Sequence, residues 1–242
     1  MEAWIPITIA AALAQTFRFM LQKQLKTTGL STGGATFARF VYSAPLVAVL
    51  IAIYARSSGQ VFPTMPDRFW LFAISGGLAQ ILATMCVVAL FTERNFAVGI
   101  TFKKTEVLQT ALIGFAVLGE GITPTAILAI TIGFVGVVLL SDPPGGQTDS
   151  FWRRVMNRAS GLGLLSGFLF GVSAIGYRGA ALSLSVDDVI VRAGLTLAIV
   201  TTFQTILMAL WMSWGERGEI GRVVRNCRSC WLHQPSPTPA SF

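Results

Sequence analysis

The 242-residue chain is 53% hydrophobic and only 12% charged, against roughly a quarter charged for an average soluble domain. Too few Lys, Glu, Asp and Arg remain to cover a soluble surface, and too many apolar residues are present for intrinsic disorder, so the lipid bilayer is the working solvent. The net charge of +7 does not indicate nucleic-acid binding, because Lys and Arg fall as singles and pairs between apolar runs, as expected of loops facing an anionic leaflet.

A spanning helix takes about 20 residues, and the chain divides into seven apolar runs near that length. The first, Trp4 to about Met20, reads as a span and not as a cleavable leader, since no basic leader precedes it and no small-residue cleavage site is evident. A basic stretch with Lys23 and Lys26 follows. The second run is about Gly34 to Ala55, and the third, after Pro63, Pro66 and Asp67, is Phe69 to Phe91. Glu93, Arg94 and Asn95 turn the chain into the fourth run, Ala97 to Leu118. The fifth starts at Pro124, a residue tolerated in a first helical turn, and ends at Leu140. A hydrophilic connection over 143–160 separates these from the sixth and seventh runs, Gly161 to Ala181 and about Val189 to Trp214. All seven are too long for barrel strands and lack two-residue alternation, so the expected fold class is an all-α polytopic transmembrane bundle of about seven spans. The last 28 residues, 215–242, form an Arg-rich and then Pro-rich tail that cannot span.

Weak internal similarity relates the start of the chain to its sixth and seventh runs. Lys23 and Arg39 correspond in position to Arg178 and Arg192, each second member following a Ser-led polar stretch. Five spans lie in the first copy. Five is odd, so a second copy enters the membrane inverted, an arrangement typical of secondary transporters with a midplane binding site. The organisation expected is a five-helix repeat over 1–142, a connection over 143–160, two helices of a second repeat over 161–214, and the tail.

Ionisable groups inside a bilayer usually face a bundle interior or a wet cavity. On the fourth run Gly99, Lys103, Glu106, Thr110 and Gly114 share one helical stripe. Two readings compete: a polar wall in which Lys103 or Lys104 holds an anionic group and Glu106 a cation or coupling proton, or an internal Lys103–Glu106 pair that neutralises itself. The odd lysine favours the first, because one cation is left over. A similar stripe on the first run, Thr8, Ala11, Gln15, Arg18 and Gln22, holds an arginine near the helix end that is expected to snorkel to the interface. Arg39 fits either an interfacial or an inward position. Gly76, Gln80 and Thr84 share a face suited to polar bonding between helices. The substrate-path candidates are therefore Arg39, Gln80, Lys103, Lys104, Glu106 and Thr110. Gly163, Gly167 and Gly171, with Gly133 beside Ala129, are expected to let helices approach closely.

Other chemistries find little support. Cys86, Cys227 and Cys230 make no extracellular disulfide framework, and Cys227, Cys230 and His233 have zinc-ligand spacing without an evident fourth ligand. No phosphate-binding G-x-x-x-x-G-K-[ST] loop, nucleophile elbow or zinc helix occurs. No cofactor, metal or catalytic residue is expected. A membrane enzyme would have to draw on Glu106 and the Asp187-Asp188 pair.

Leu118-Gly119-Glu120, then Thr123-Pro124, then Gly133-Phe134-Val135-Gly136-Val137-Val138-Leu139-Leu140 resembles the end of an EamA-type repeat of the drug/metabolite transporter superfamily, and Ala38-Arg39-Phe40 with Pro45 resembles the Arg-Phe signature of its second helix. The resemblance implies two inverted five-helix repeats that move small metabolites, often outward, by alternating access. It makes Arg39 the repeat's arginine and Glu120 its helix-end acid, with a structural role at the start of the next helix. Lys103, Lys104 and Glu106 are more charge than that helix commonly carries. An eighth to tenth helix would be absent: the favoured expectation is a truncated or frame-shifted product whose residues after about Arg225 are out of frame, and the alternatives are a bundle completed by another subunit and a shorter natural variant.

The function expected is therefore an exporter of a small polar metabolite such as an amino acid, in a bacterial inner membrane. The alternatives are a non-transporting remnant or assembly subunit and, less favoured, a membrane enzyme. Expected partners are membrane lipid, the substrate, a coupling proton or ion and a second copy of the chain, and no nucleic acid. Counting Lys and Arg puts the tail in the cytoplasm and, with seven spans, the N-terminus outside, whereas the family layout puts both ends inside.

Overall fold

The architecture is that of a computed structural model, which describes residues 4–27, 30–60, 63–93, 96–119, 121, 123–140, 158–216 and 218–232. The described residues are helical apart from turns and caps: α1 (Trp4–Thr27), α2 (Thr32–Ser57), α3 (Asp67–Leu90), α4 (Phe96–Lys103), α5 (Glu106–Leu118), α6 (Pro124–Leu140), α7 (Arg158–Leu182), α8 (Val189–Gly215) and α9 (Glu219–Leu232). All seven apolar runs are helical. Four of these helices, α2, α3, α7 and α8, are by themselves long and apolar enough to cross a membrane.

The helix ends follow from local chemistry. Ser31 stands outside α2 with an extended backbone, and its Oγ accepts the Gly34 N–H at 2.8 Å; Asp188 does the same for α8, accepting from Ile190 and Val191 at 2.8 and 3.2 Å. Each satisfies N–H groups that the first helical turn leaves without a partner. At the end of α5, Gly119 takes a left-handed φ of 67°, a conformation that costs a residue without a Cβ nothing and closes the helix. Thr123 Oγ1 then accepts from Ala126 N at 3.3 Å, and Pro124 occupies the first turn of α6. Glu120, expected to serve that turn, lies outside the described residues.

Helix α7 is the hub. It packs most extensively on α3, and also on α4, α5 and α8, while α2 packs on α8. Small residues make the α3–α7 approach close: a Cβ built on Gly176 would stand 2.7 Å from Gly76 Cα and 2.9 Å from Phe72 O. Phe69, Ala73, Ala180, Leu184, Leu195 and Val200 form one apolar cluster at this junction. A second, around Phe37, Phe40, Ile81, Met208 and Met212, joins α2, α3 and α8. By contrast α1 lies at the edge, and its described side chains from Ile5 to Phe17 are all exposed. Ala129 and Gly133 on α6 are likewise exposed, and a Cβ on Gly133 would meet nothing within 4 Å. The close approach expected at Gly133 is not made within this chain.

Polar clasps tie the two ends of the bundle. At one end Arg158 Nε lies 3.4 Å from Glu93 Oε1. At the other, Tyr54 donates to Asp188 Oδ2 at 3.2 Å. The segment after Gly215, read from sequence only as a polar tail, begins with a helix that docks. Val223 of α9 is 1% exposed and joins the α2–α8 cluster. Ser31 donates its hydroxyl to Glu216 and its N–H to Glu219 Oε2 at 3.2 Å, and Glu219 also pairs with Arg222 at 2.7 Å. Two carboxylates at the N-terminus of α2 suit the positive end of its dipole. The residues expected to be out of frame, after about Arg225, have side chains outside the described set.

Candidate functional site

The fourth apolar run is not one helix. It breaks at Lys104 and Thr105, where the backbone tightens: Lys104 N donates to Thr101 O at 2.9 Å and Thr105 N to Phe102 O at 3.2 Å, three residues back, before Gln109 N returns to the four-residue pattern on Thr105 O at 3.0 Å. A short stretch of this tighter winding within a span often marks a hinge or a site. Gly167 of α7 lies directly under the break, so close that a Cβ would come within 3.2 Å of Lys103 O and 3.3 Å of Glu106 N. The stripe read on the fourth run therefore faces the glycine ladder of α7, with Gly99 against Gly163 and Thr110 against Gly171.

The break sets the lysines on different paths. Lys103 turns inward and is 6% exposed, while Lys104 is exposed. Lys103 Nζ meets Glu106 Oε2 at 2.5 Å and lies 4.6 Å from the centre of the Phe170 ring, a cation–π contact. The internal pair thus forms, and the leftover lysine that favoured the other reading faces outward.

Even so, the pair lines a cavity of about 190 Å³. Gln15 and Arg18 of α1, Arg39 of α2 and Gln80 of α3 face it from one side, and Phe170, Ser173, Ala174 and Tyr177 of α7 form the opposite wall. Four helices, α1, α2, α3 and α7, and the two halves of the broken helix therefore converge on one space. Arg39 stands over the buried ring of Phe40 at 5.2 Å and donates through Nη1 to Thr84 Oγ1 at 2.6 Å, and Thr84 in turn donates to Gln80 O at 2.8 Å. Ser173 donates to Gln80 Oε1 at 3.3 Å. Behind this wall, fully buried Gln204 of α8 donates to Tyr177 at 3.0 Å and to Gly77 O at 2.9 Å, fixing the tyrosine from the far side.

Of the residues singled out from sequence, Arg39, Gln80, Lys103 and Glu106 come together here, whereas Lys104 points away and Thr110 packs on Gly171. Arg18 departs from the snorkelling expectation for a simple reason. Its helix continues to Thr27, so a residue that seemed terminal is interior, and it lines the cavity. The α7 wall was missed. Its signal was a polar-aromatic stripe, Phe170, Ser173 and Tyr177, at spacings of three and four within an apolar run.

An EamA-like transporter family model matches residues 2–142, more than half of the chain. The chain belongs to the EamA-like transporter family. No curated protein and no solved structure matches it. Family membership and the apolar helices together make it a multi-pass integral membrane protein of a transporter family. The matched EamA region supplies Arg18, Arg39, Gln80, Lys103 and Glu106, and α7, beyond it, completes the cavity. The acids that an enzymatic reading would combine are not together: Asp188 caps α8 and accepts from Tyr54, Asp187 is exposed, and only Glu106 lines the cavity. Among the described residues no group of three or more His, Cys, Asp or Glu is placed to hold a metal ion. The side chains of Cys227 and Cys230, and His233 altogether, lie outside the described set.

Proposed function

We propose that the chain is a secondary transporter that exports a small polar metabolite across a bacterial inner membrane, with the cavity between α1, α2, α3, the α4–α5 break and α7 as its substrate site. One observation carries the reading: Arg18, Arg39, Lys103 and Glu106 are gathered around one cavity between apolar helices. Each charge placed at membrane depth costs about 2.5 to 3.5 kcal/mol on insertion scales, a cost that structural packing alone does not require and a polar cargo would explain. The α4–α5 break and the glycine ladder beneath it provide the surface on which one part of the bundle rocks against another. The α2–α8 pairing supports the inverted-repeat organisation over 1–142 and 161–214, because helices equated by the repeat would meet across its axis.

A cysteine at position 174 tests whether the cavity is an open path. Ala174 lines it and is exposed, so in a chain whose native cysteines are replaced by serine, Ala174→Cys is expected to react with a small polar thiol reagent. Modification is expected to stop transport, and a transported substrate to protect the thiol. A thiol at this position that stays unmodified in the folded protein would count against an accessible path.

A second reading, an assembly subunit, is favoured by the exposed α1. Its exposed side chains include polar Thr8, which suits a helix that meets another subunit, including a second copy of the chain.

A further inference from the structure

Helix α9 begins at the level where the spanning helices leave the hydrocarbon. A Cβ built on Gly33, in the first turn of α2, would stand 2.7 Å from the Trp211 ring and 2.8 Å from the Glu216 carboxylate, so the end of α8, the start of α2 and the approach to α9 share one depth. Trp211 and Trp214 are exposed there, Trp214 at 87%, and tryptophans collect where the hydrocarbon gives way to headgroups. Gly218 then turns the chain with a φ of 95°, a conformation open to a residue without a Cβ, and α9 packs back on α2 and α8.

The bundle covers only part of the apolar stripe of α9. In the sequence Ile220, Val223, Val224, Cys227 and Trp231 follow a helical period, with Arg222, Arg225 and Arg228 set between them. Val223 is buried in the α2–α8 cluster and Ile220 is half-buried against it, whereas Val224, the next position round, is 56% exposed, and Arg222 and Arg225 are exposed. Three arginines against one acid, Glu219, give the segment 219–232 a formal net charge of +2, whatever ion pairs form within it. A basic face beside an uncovered apolar edge is the pattern of a helix that lies in a lipid interface. The connections at this end, with Lys23, Lys26, Arg94 and Arg158 beside them, hold more basic residues than those at the other, which places α9 on the side of the anionic cytoplasmic leaflet.

We propose that α9 lies in the membrane interface, with its Val224 edge seated at the acyl boundary and its arginines on the phosphates of anionic lipids in the cytoplasmic leaflet. The test uses the full chain with Cys86, Cys227 and Cys230 replaced by alanine and a nitroxide spin label on Val224→Cys, in nanodiscs of phosphatidylcholine with or without phosphatidylglycerol. Collisions of the label with oxygen, which concentrates in lipid, and with a neutral nickel chelate, which stays in water, report its depth. A label on Leu46→Cys, exposed midway along α2, gives the lipid-facing reference. With phosphatidylglycerol the Val224 label is expected to favour oxygen, as the reference does, and without it to move toward the chelate. One arginine near an anionic surface shifts such an equilibrium about fivefold, so Arg222→Gln together with Arg225→Gln is expected to lower the ratio of immersed to water-exposed label about 25-fold. The lipid comparison needs neither substitution and stands if the double variant fails to fold. A label that favours the chelate in phosphatidylglycerol, or that reads the same depth in both lipids, overturns the proposal. A label reached by neither agent would put the edge against protein, a second copy or another chain, and overturn it likewise.

Discussion

Glu106→Gln and Lys103→Ala are each expected to abolish substrate movement in proteoliposomes while leaving the chain inserted in the membrane. Glu106→Gln leaves Lys103 buried beside Phe170 without its 2.5 Å partner, and Lys103→Ala leaves the part-buried Glu106 without its cation. Breaking a buried pair in this way costs about 3 to 5 kcal/mol, which corresponds to a rate loss of roughly 100-fold to several thousand-fold if the cost falls on the moving state. Initial rates, normalised to the protein recovered in the vesicles, decide the matter. Wild-type rates in both variants would remove the pair from the substrate path.

The second large effect concerns the glycine ladder. Gly163→Ala places a Cβ 2.2 Å from Gly99 O, with further backbone atoms of Gly99 at 3.0 and 3.2 Å. No rotamer change relieves a clash with backbone, so α4 and α7 must separate, and overpacking of this kind costs typically about 1 to 3 kcal/mol. In a chain of this size each kcal/mol lowers the melting temperature by about 2 to 4 °C, so a drop on the order of 2 to 12 °C is expected in detergent. Gly133→Ala is the matched control. Its Cβ would meet nothing within 4 Å, and a change within about 0.5 kcal/mol is expected. Unfolding of Gly163→Ala at the wild-type temperature would show that α4 and α7 are not packed backbone to backbone.

How much of this was legible in the sequence depends on which physical signal each residue carried. Membrane helices announce themselves by length and hydropathy, so all seven runs were found, with the caps at Ser31 and Asp188 and the helix start at Pro124 close to the expected boundaries. The Lys103–Glu106 pair was readable because three residues along a helix place side chains on one face. The break between α4 and α5 was not, because no proline or glycine stands at Lys104 or Thr105. It is set by tertiary packing against Gly167, a residue more than sixty positions away. The same limit explains the lysines: on an unbroken helix Lys103 and Lys104 look equally eligible, and only the changed winding sends one inward and the other out.

The errors at Arg18 and in the segment after Gly215 have a different origin. Both residues and segment were judged by hydropathy, which falls off before the helix does. The apolar run of α1 fades near Met20 while its backbone continues to Thr27, and that moved Arg18 from an end to the interior. Past Gly215 the polar composition concealed a helix that docks through a few apolar positions, among them Val223, and through Glu216 and Glu219 on Ser31. Tyr177 and Ser173 were passed over for the converse reason: in an apolar run single polar residues read as tolerated, and their shared face with Phe170 gains meaning only when α7 is known to be central.

The most direct measurement is exchange by the purified wild-type chain in proteoliposomes, with labelled succinate, glutamate and alanine supplied outside vesicles preloaded with the same unlabelled compounds. Saturable exchange of at least one of them above protein-free vesicles is expected, lost in Glu106→Gln. No exchange of any of them by a chain with normal thermal unfolding would contradict a transport path through the cavity of Arg39, Lys103 and Glu106.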